Sequence, residues 1–195
     1  EVRIVIAENP NTPIEILKEL SNDKDEIVRT GIASNTSTPI ETLIELSKDG
    51  YPQFYGYRHV RSALAANPNT PIETLIELLK RDSNARSSIA RNPSTPIEIL
   101  KELSNDKDEF VRRMVAENLK TRKTDLIELS KDDDVNIRRL IAENPNTPIE
   151  ILVELSKENS IARGGLGKNP NTPIEIIEDL TIKNVLPLPI KDETS

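Results

Sequence analysis

Apolar residues fall in short runs at helical spacing. Ile14, Leu17 and Leu20 stand at i, i+3 and i+6, with Ile16 beside them. The same places hold Ile40, Leu43 and Leu46, then Ile72, Leu75 and Leu78, then Ile97, Leu100 and Leu103. Recurrence with so little drift predicts an amphipathic α-helix in each unit. A second set predicts another helix before it: Val28, Ile32 and Ala33, matched by Val60, Leu64 and Ala65 and by Ile137, Ile141 and Ala142. Neither helix can bury its apolar face alone, so stacked neighbours must supply the core.

The two sets are joined by a polar phrase, read most plainly at Asn144-Pro145-Asn146-Thr147-Pro148-Ile149-Glu150. It opens at Asn9, Asn35, Asn67, Asn92, Asn118, Asn144 and Asn169, at intervals of 26, 32, 25, 26, 26 and 25 residues. The phrase predicts a helix stop followed by a start. Asn tolerates the left-handed conformation that closes a helix, and Pro cannot continue one. Thr then serves as N-cap, Pro as first helical residue, and Glu completes a capping box. A period of 25 or 26 residues fits a helix of about three turns, a shorter helix and tight turns.

Two charged rows share this register. An arginine stands six residues before each phrase: Arg3, Arg29, Arg61, Arg86, Arg112, Arg138 and Arg163. An acid stands ten after its Asn: Glu19, Glu45, Glu77, Glu102, Glu128, Glu154 and Asp179. Pairing within or between units, or capping of turn carbonyls, makes a structural ladder. Phosphate tracking by the arginines is the competing reading. Arg58, Arg113 and Arg139 adjoin the row. The structural reading is preferred.

Val28-Arg29, Asn67-Pro68-Asn69-Thr70-Pro71 and Leu75 with Leu78 resemble the leucine-rich repeat variant, a bacterial module of about this length. The resemblance runs over nearly the whole chain. It implies an all-α fold, a right-handed solenoid of about seven repeats, each an α-helix plus a shorter, often 3₁₀, helix. It carries no catalytic activity. The second helices also resemble those of HEAT-like repeats, which are interaction scaffolds. An iron–sulfur member of the family places its cluster on a Cys-rich segment, which this Cys-free chain does not have.

Composition narrows the chemistry. Aromatic residues are 3%, charged ones 30%, and the net charge is -7, which disfavours a chain-wide nucleic-acid or anionic-membrane surface. With no Cys and His59 the only His, thiolate sites and multi-histidine metal sites are excluded. No cofactor or metal and no catalytic residue is expected. No run suggests a membrane span or signal peptide, so a cytoplasmic location is expected. A chain opening at Glu1 inside a repeat suggests a piece of a longer protein.

Departures from the repeat are where binding is expected. One solenoid is expected over 1–180, with an insertion at 50–59 and a Pro-containing tail or cap at 181–195. The insertion holds Tyr51, Phe54, Tyr55, Tyr57, Arg58 and His59. Loops on rigid scaffolds carry function, and Tyr and Arg are enriched in hot spots; a loop folded back on the array is the plainer reading. In the fifth unit Lys120, Arg122 and Lys123 replace apolar and Pro positions. Asp132-Asp133-Asp134 reads as a helix opening. Arg163-Gly164-Gly165-Leu166-Gly167-Lys168 lacks the first Gly and the Ser or Thr of a phosphate loop, and reads as a distorted helix. The function expected is a protein–protein interaction scaffold, using the second-helix face and the insertion. The alternatives are nucleic-acid binding through the Arg face, or a regulatory domain of an enzyme whose catalytic part lies elsewhere.

Overall fold

A computed structural model describes residues 1–48, 58–158 and 161–182, with Arg58, His59 and Ser83 described by backbone alone. Among the described residues there are fourteen α-helices, one 3₁₀ turn and no strand. The helices that follow the phrase are α2 (Ile14–Leu20), α4 (Ile40–Ser47), α6 (Ile72–Arg81), α8 (Ile97–Leu103), α10 (Lys123–Leu129), α12 (Ile149–Lys157) and α14 (Ile174–Ile182). Those that precede it are α1 (Val2–Glu8), α3 (Glu26–Ser34), α5 (Arg58–Ala66), α7 (Arg86–Arg91), α9 (Glu109–Glu117), α11 (Val135–Glu143) and α13 (Arg163–Leu166).

The chain groups into two compact units, Glu1–Leu103 and Ser104–Ser195. In the first, α1 packs on α3, α3 on α5 and α5 on α7; in the second, α9 packs on α11 and α11 on α13. Helices of the second kind therefore stack on one another, as a repeat core requires.

The helices before the phrase are not uniformly the shorter ones. α3, α5, α9 and α11 have nine residues each, whereas α2, α8 and α10 have seven. The shorter ones are the seven-residue α1, α7, preceded by the 3₁₀ turn Ser83–Ala85, and the four-residue α13.

The core is aliphatic and follows the expected register at most places. Leu17, Leu43, Leu75, Leu100, Leu126 and Leu152 are wholly buried, as are Ile32, Leu64, Ile137 and Ile141. Each such side chain contributes about 1.5–3 kcal/mol by leaving water. The isoleucine that opens each helix is the exception: Ile14, Ile40, Ile72, Ile97, Ile149 and Ile174 are 40–57% exposed. A two-turn helix turns its leucines and the residue before the first of them to the core, as Ile99, Leu100 and Leu103 of α8 show, and its first residue lies off that face.

Two glycines occur where helices approach closely. A Cβ on Gly31 would lie 3.0 Å from the Ala7 Cβ, and one on Gly165 would lie 2.4 Å from the Arg139 carbonyl oxygen and 2.9 Å from the Ala142 Cβ. Both residues stand four before their phrase Asn. Gly165 is thus a packing requirement of α13 against α11, where the sequence suggested only a helix-weakening residue.

Candidate functional site

The recurring polar residues meet at the joints. The phrase Asn is in extended backbone where it closes α1, α3, α7, α9 and α11, for example Asn35 at φ -72 and ψ 118 and Asn144 at φ -71 and ψ 121. The left-handed conformation expected of it does not occur. Its value lies in the side chain. The carboxamide oxygen accepts the N–H two residues on, as Asn67 Oδ1 does from Asn69 at 2.9 Å. The carboxamide nitrogen donates to the preceding repeat. Asn35 reaches the Ala7 and Asn9 carbonyls at 2.8 and 2.9 Å, and Asn67 those of Ala33 and Asn35 at 2.8 and 3.2 Å. Asn92 reaches Ala65 and Asn67, and Asn169 reaches Ala142 and Asn144. These asparagines are buried, where an amide without partners is costly.

A parallel row runs through the third phrase position. Ser37 donates to the Pro10 carbonyl at 2.6 Å, Asn69 to Thr36 at 2.7 Å, Ser94 to Pro68 at 2.6 Å and Asn171 to Pro145 at 2.7 Å. Thr closes the joint internally. Its hydroxyl donates to the carbonyl six residues back, Thr70 to Leu64 and Thr147 to Ile141, both at 2.6 Å. Thr therefore is not the N-cap, and no capping box forms. Pro13, Pro39, Pro71 and Pro148 hold the N-cap place without a side-chain bond. Their ψ near 146° (Pro13) keeps them outside the helix, while the carbonyl of Pro13 accepts from Ile16 and Leu17.

Four arginines of the row, Arg3, Arg61, Arg112 and Arg138, pair with an acid other than the recurring one ten residues past the phrase. The row works in two directions, and Arg112 and Arg138 work in both. Backward, Arg29, Arg112 and Arg138 donate through Nη1 to the carbonyls of Asp23, Asp106 and Asp132 at 2.6, 2.8 and 2.6 Å, holding the turn that opens their own helix. Forward, Arg3 meets Asp23 at 2.8 Å, Arg61 meets Asp82 at 3.7 Å, Arg112 meets Asp132 at 2.6 Å and Arg138 meets Glu158 at 3.1 Å. Those acids stand in the next turn. Arg86 and Arg163 are engaged as well. Of the adjoining arginines, Arg113 pairs with Asp134 and Glu109, and Arg139 with Glu143.

The acidic run of the sixth repeat belongs to this system. Asp134 caps α11, accepting from the Asn136 N–H at 2.8 Å, and Asp132 accepts from the Asp134 N–H at 2.9 Å. Burial alone would raise both carboxyls. The Arg112 guanidinium and the Asp134 N–H outweigh it at Asp132, and the Asn136 N–H and Arg113 at Asp134, so both titrate below the ordinary value of 3.8. Hydrogen bonds to these carboxylates in turn raise Arg112 and Arg113.

A depressed carboxyl binds fewer protons in the fold than in the unfolded chain. Its stabilisation is complete above the ordinary carboxylate value and is lost as pH falls through the folded one. The denaturation midpoint should therefore stay level from about pH 7 to 5 and drop below about 4. Asp132→Asn should lower the neutral-pH midpoint and flatten part of that acid limb. An acid limb unchanged in the variant would dissociate the carboxylate from it.

In the fifth repeat the missing phrase residues leave the joint intact. Asn118 still accepts from the Lys120 N–H at 2.9 Å, and Thr121 still donates to Val115 at 2.6 Å. Arg122 takes the proline's place with φ -69 and ψ 151. It forms two bonds of 2.9 Å to Asp125, which is 2% exposed. The matching residue of the sixth repeat is the buried Ile151, so an ion pair fills an apolar place. Lys120 and Lys123 remain exposed.

Of the proposed binding insertion, Tyr51, Phe54, Tyr55 and Tyr57 lie outside the described residues, as do 183–195 of the tail. Arg58 and His59 are not in a loop; they open α5. That helix starts nine residues before its phrase, as α3, α9 and α11 do, so register places them there. No described helix is long and apolar enough to cross a membrane.

A solved structure, described as a leucine-rich repeat variant with a novel repetitive protein structural motif, is 28% identical to this chain with a TM-score of 0.57. The similarity covers 85% of this chain and 64% of that one, so the chain spans about 64% of the length of the structure it matches. No family model and no curated protein matches. The likeness first read from Val-Arg, Asn-Pro-x-Thr-Pro and the leucine positions holds in three dimensions, and the chain is a helical-repeat protein similar to the leucine-rich repeat variant.

Proposed function

We propose that this repeat protein is a non-catalytic scaffold for protein–protein interaction, acting in the cytoplasm. The observation that carries this reading is the engagement of the recurring polar residues in the framework. Asparagines, threonines and arginines that recur are bonded to turns and to neighbouring repeats, which leaves recognition to positions that vary between repeats. Pairing also removes the main support for nucleic-acid binding, since Arg3, Arg61, Arg112 and Arg138 already meet carboxylates and phosphate contact needs uncompensated cations. The insertion residues Tyr51, Phe54, Tyr55, Tyr57, Arg58 and His59 remain the proposed contact for a partner protein.

A pull-down with the wild-type chain and with Tyr51, Phe54, Tyr55 and Tyr57 changed to Ala tests both parts. Specific partners that drop out with the four-residue variant are the expected result. Partners retained by the variant would move the contact elsewhere. Recovery of no partner, together with salt-sensitive retention of DNA or RNA on filters, would replace the scaffold reading.

A further inference from the structure

The exposed face of α4 and α6 has a composition that the joints do not explain. The phrases that open these helices are bonded side by side through Asn67 to Asn35 and Asn69 to Thr36, and the two helices are in contact. Each then presents Ile-Glu, two core residues, and Ile-Glu again: Ile40, Glu41, Ile44 and Glu45 on α4, and Ile72, Glu73, Ile76 and Glu77 on α6. Residues one helical turn apart share a face, so four isoleucines lie beside four glutamates. Ile40 and Ile72 are 51% and 44% exposed. Between the helices runs a groove of about 430 Å³, lined by Ile44, Pro71, Thr74 and Leu78, with Glu73 and Glu77 and the cations Lys48 and Arg81 on its edge.

The neighbours differ at this register. Lys18 of α2 and Lys101 of α8 stand where Ile44 and Ile76 stand, and α10 has Lys123 and Thr124 where these helices have Ile and Glu. Of the glutamates, Glu45 meets Lys48 at 2.7 Å and Glu77 meets Arg81 at 3.1 Å. Glu41 and Glu73 make no ion pair with a described residue. With Lys48 and Arg81 matched to Glu45 and Glu77, Glu41 and Glu73 leave this apolar surface net negative among the described residues, which disfavours nucleic acid and anionic lipid and suits a cationic, apolar segment.

The geometry points to this face as the docking site for a basic peptide segment of a partner, which places an aliphatic side chain in the groove and Lys or Arg against Glu41 and Glu73. This rests on the scaffold reading and names a partner chemistry for it. Neighbouring helix axes lie about 8–10 Å apart, and an extended chain rises about 3.3 Å per residue. The recognised segment therefore has basic residues three apart with an apolar residue between them.

The test is a fluorescence-anisotropy titration of the full chain with a labelled twelve-residue peptide, Arg at every third position and Leu between, and with its Glu-for-Arg counterpart. Saturable, salt-weakened binding of the first and none of the second is expected. Ile44→Ser with Ile76→Ser, and separately Glu41→Gln with Glu73→Gln, should each weaken it at least about tenfold, equal to about 1.4 kcal/mol. Ile149→Ser with Glu150→Gln on α12 should leave it unchanged. Thermal melts check folding, because Ile44 and Ile76 are half-buried whereas Glu41 and Glu73 are exposed. Absence of wild-type binding, equal binding of the acidic peptide, or full affinity in both α4/α6 variants would overturn the site. Partners captured by pull-down regardless of these substitutions would overturn it while sparing the scaffold reading.

Discussion

Asn67→Ala should lower the stability of the folded chain by about 3 kcal/mol, roughly 6–12 °C in Tm for a protein of this size. The substitution removes a carboxamide that is 2% exposed and bonded to Ala33, Asn35 and Asn69. The Asn35 carbonyl keeps the Thr38 N–H as a donor, whereas the Ala33 carbonyl loses its donor in a buried place. Each net hydrogen bond contributes about 1 kcal/mol, and an orphaned buried acceptor costs about 1–3 more. Asn67→Asp sharpens the test. A carboxylate still accepts from Asn69 but points negative charge at two carbonyls, so its folded-state pKa is raised. The deficit should exceed that of Ala at pH 7 and shrink as pH falls through the raised folded value down to the ordinary carboxylate value, because the protonated acid can donate to Ala33. Chemical denaturation at two pH values measures this. A loss below about 1 kcal/mol for both variants would mean that packing alone holds these repeats together.

Gly165→Ala is expected to cost about 3 kcal/mol, at the upper end for an overpacked site, while Gly164→Ala should be neutral or stabilising by up to about 1 kcal/mol. The contrast is geometric. The new methyl at 165 meets the backbone oxygen of Arg139, which cannot rotate away, whereas nothing lies within 4 Å of one at 164. Relief requires α13 to move off α11, and that separation would stretch the bonds from Asn169 to Ala142 and Asn144. Equal effects of the two substitutions in thermal unfolding would refute the close approach.

These two sites mark how far sequence reasoning reaches. Repeat period, helix alternation and the buried leucines were legible because they depend on local spacing and on apolar pattern. The asparagine's main role was not, because its acceptors lie 25–34 residues away, and only the stacking of repeats brings them within reach. Thr and Pro in the phrase resembled a capping box because their order matches one. The reading fails because Thr turns its hydroxyl back to the preceding helix and Pro takes the cap place itself. The Arg row was visible, and the capping of turn carbonyls holds for Arg29, Arg112 and Arg138, but the acid that pairs with Arg3, Arg61, Arg112 and Arg138 is another one. An acid ten residues past the phrase lies on the next helix, while the turn acid fourteen or fifteen past it, such as Asp132 or Asp82, is the one within reach. Gly165 carried a weak signal, shared with Gly31 at the same register, that only the helix-to-helix distance makes readable.

The direction of the asparagine bonds has a further consequence. In each, a side chain of the later repeat addresses the main chain of the earlier one, and main chain is the same whatever residues it carries. Through these bonds a repeat does not inspect its predecessor's side chains; it does so through the Arg–Asp pairs and the close glycine contacts. The 32-residue interval before Asn67 is accepted with the same two bonds as a 26-residue one. As far as these bonds go, units can be lengthened, duplicated or deleted without changes next door, but never inverted, because donors and acceptors occupy opposite sides. The array has a grammar with fixed word order and free vocabulary, and the free words are where one such protein can come to differ from another.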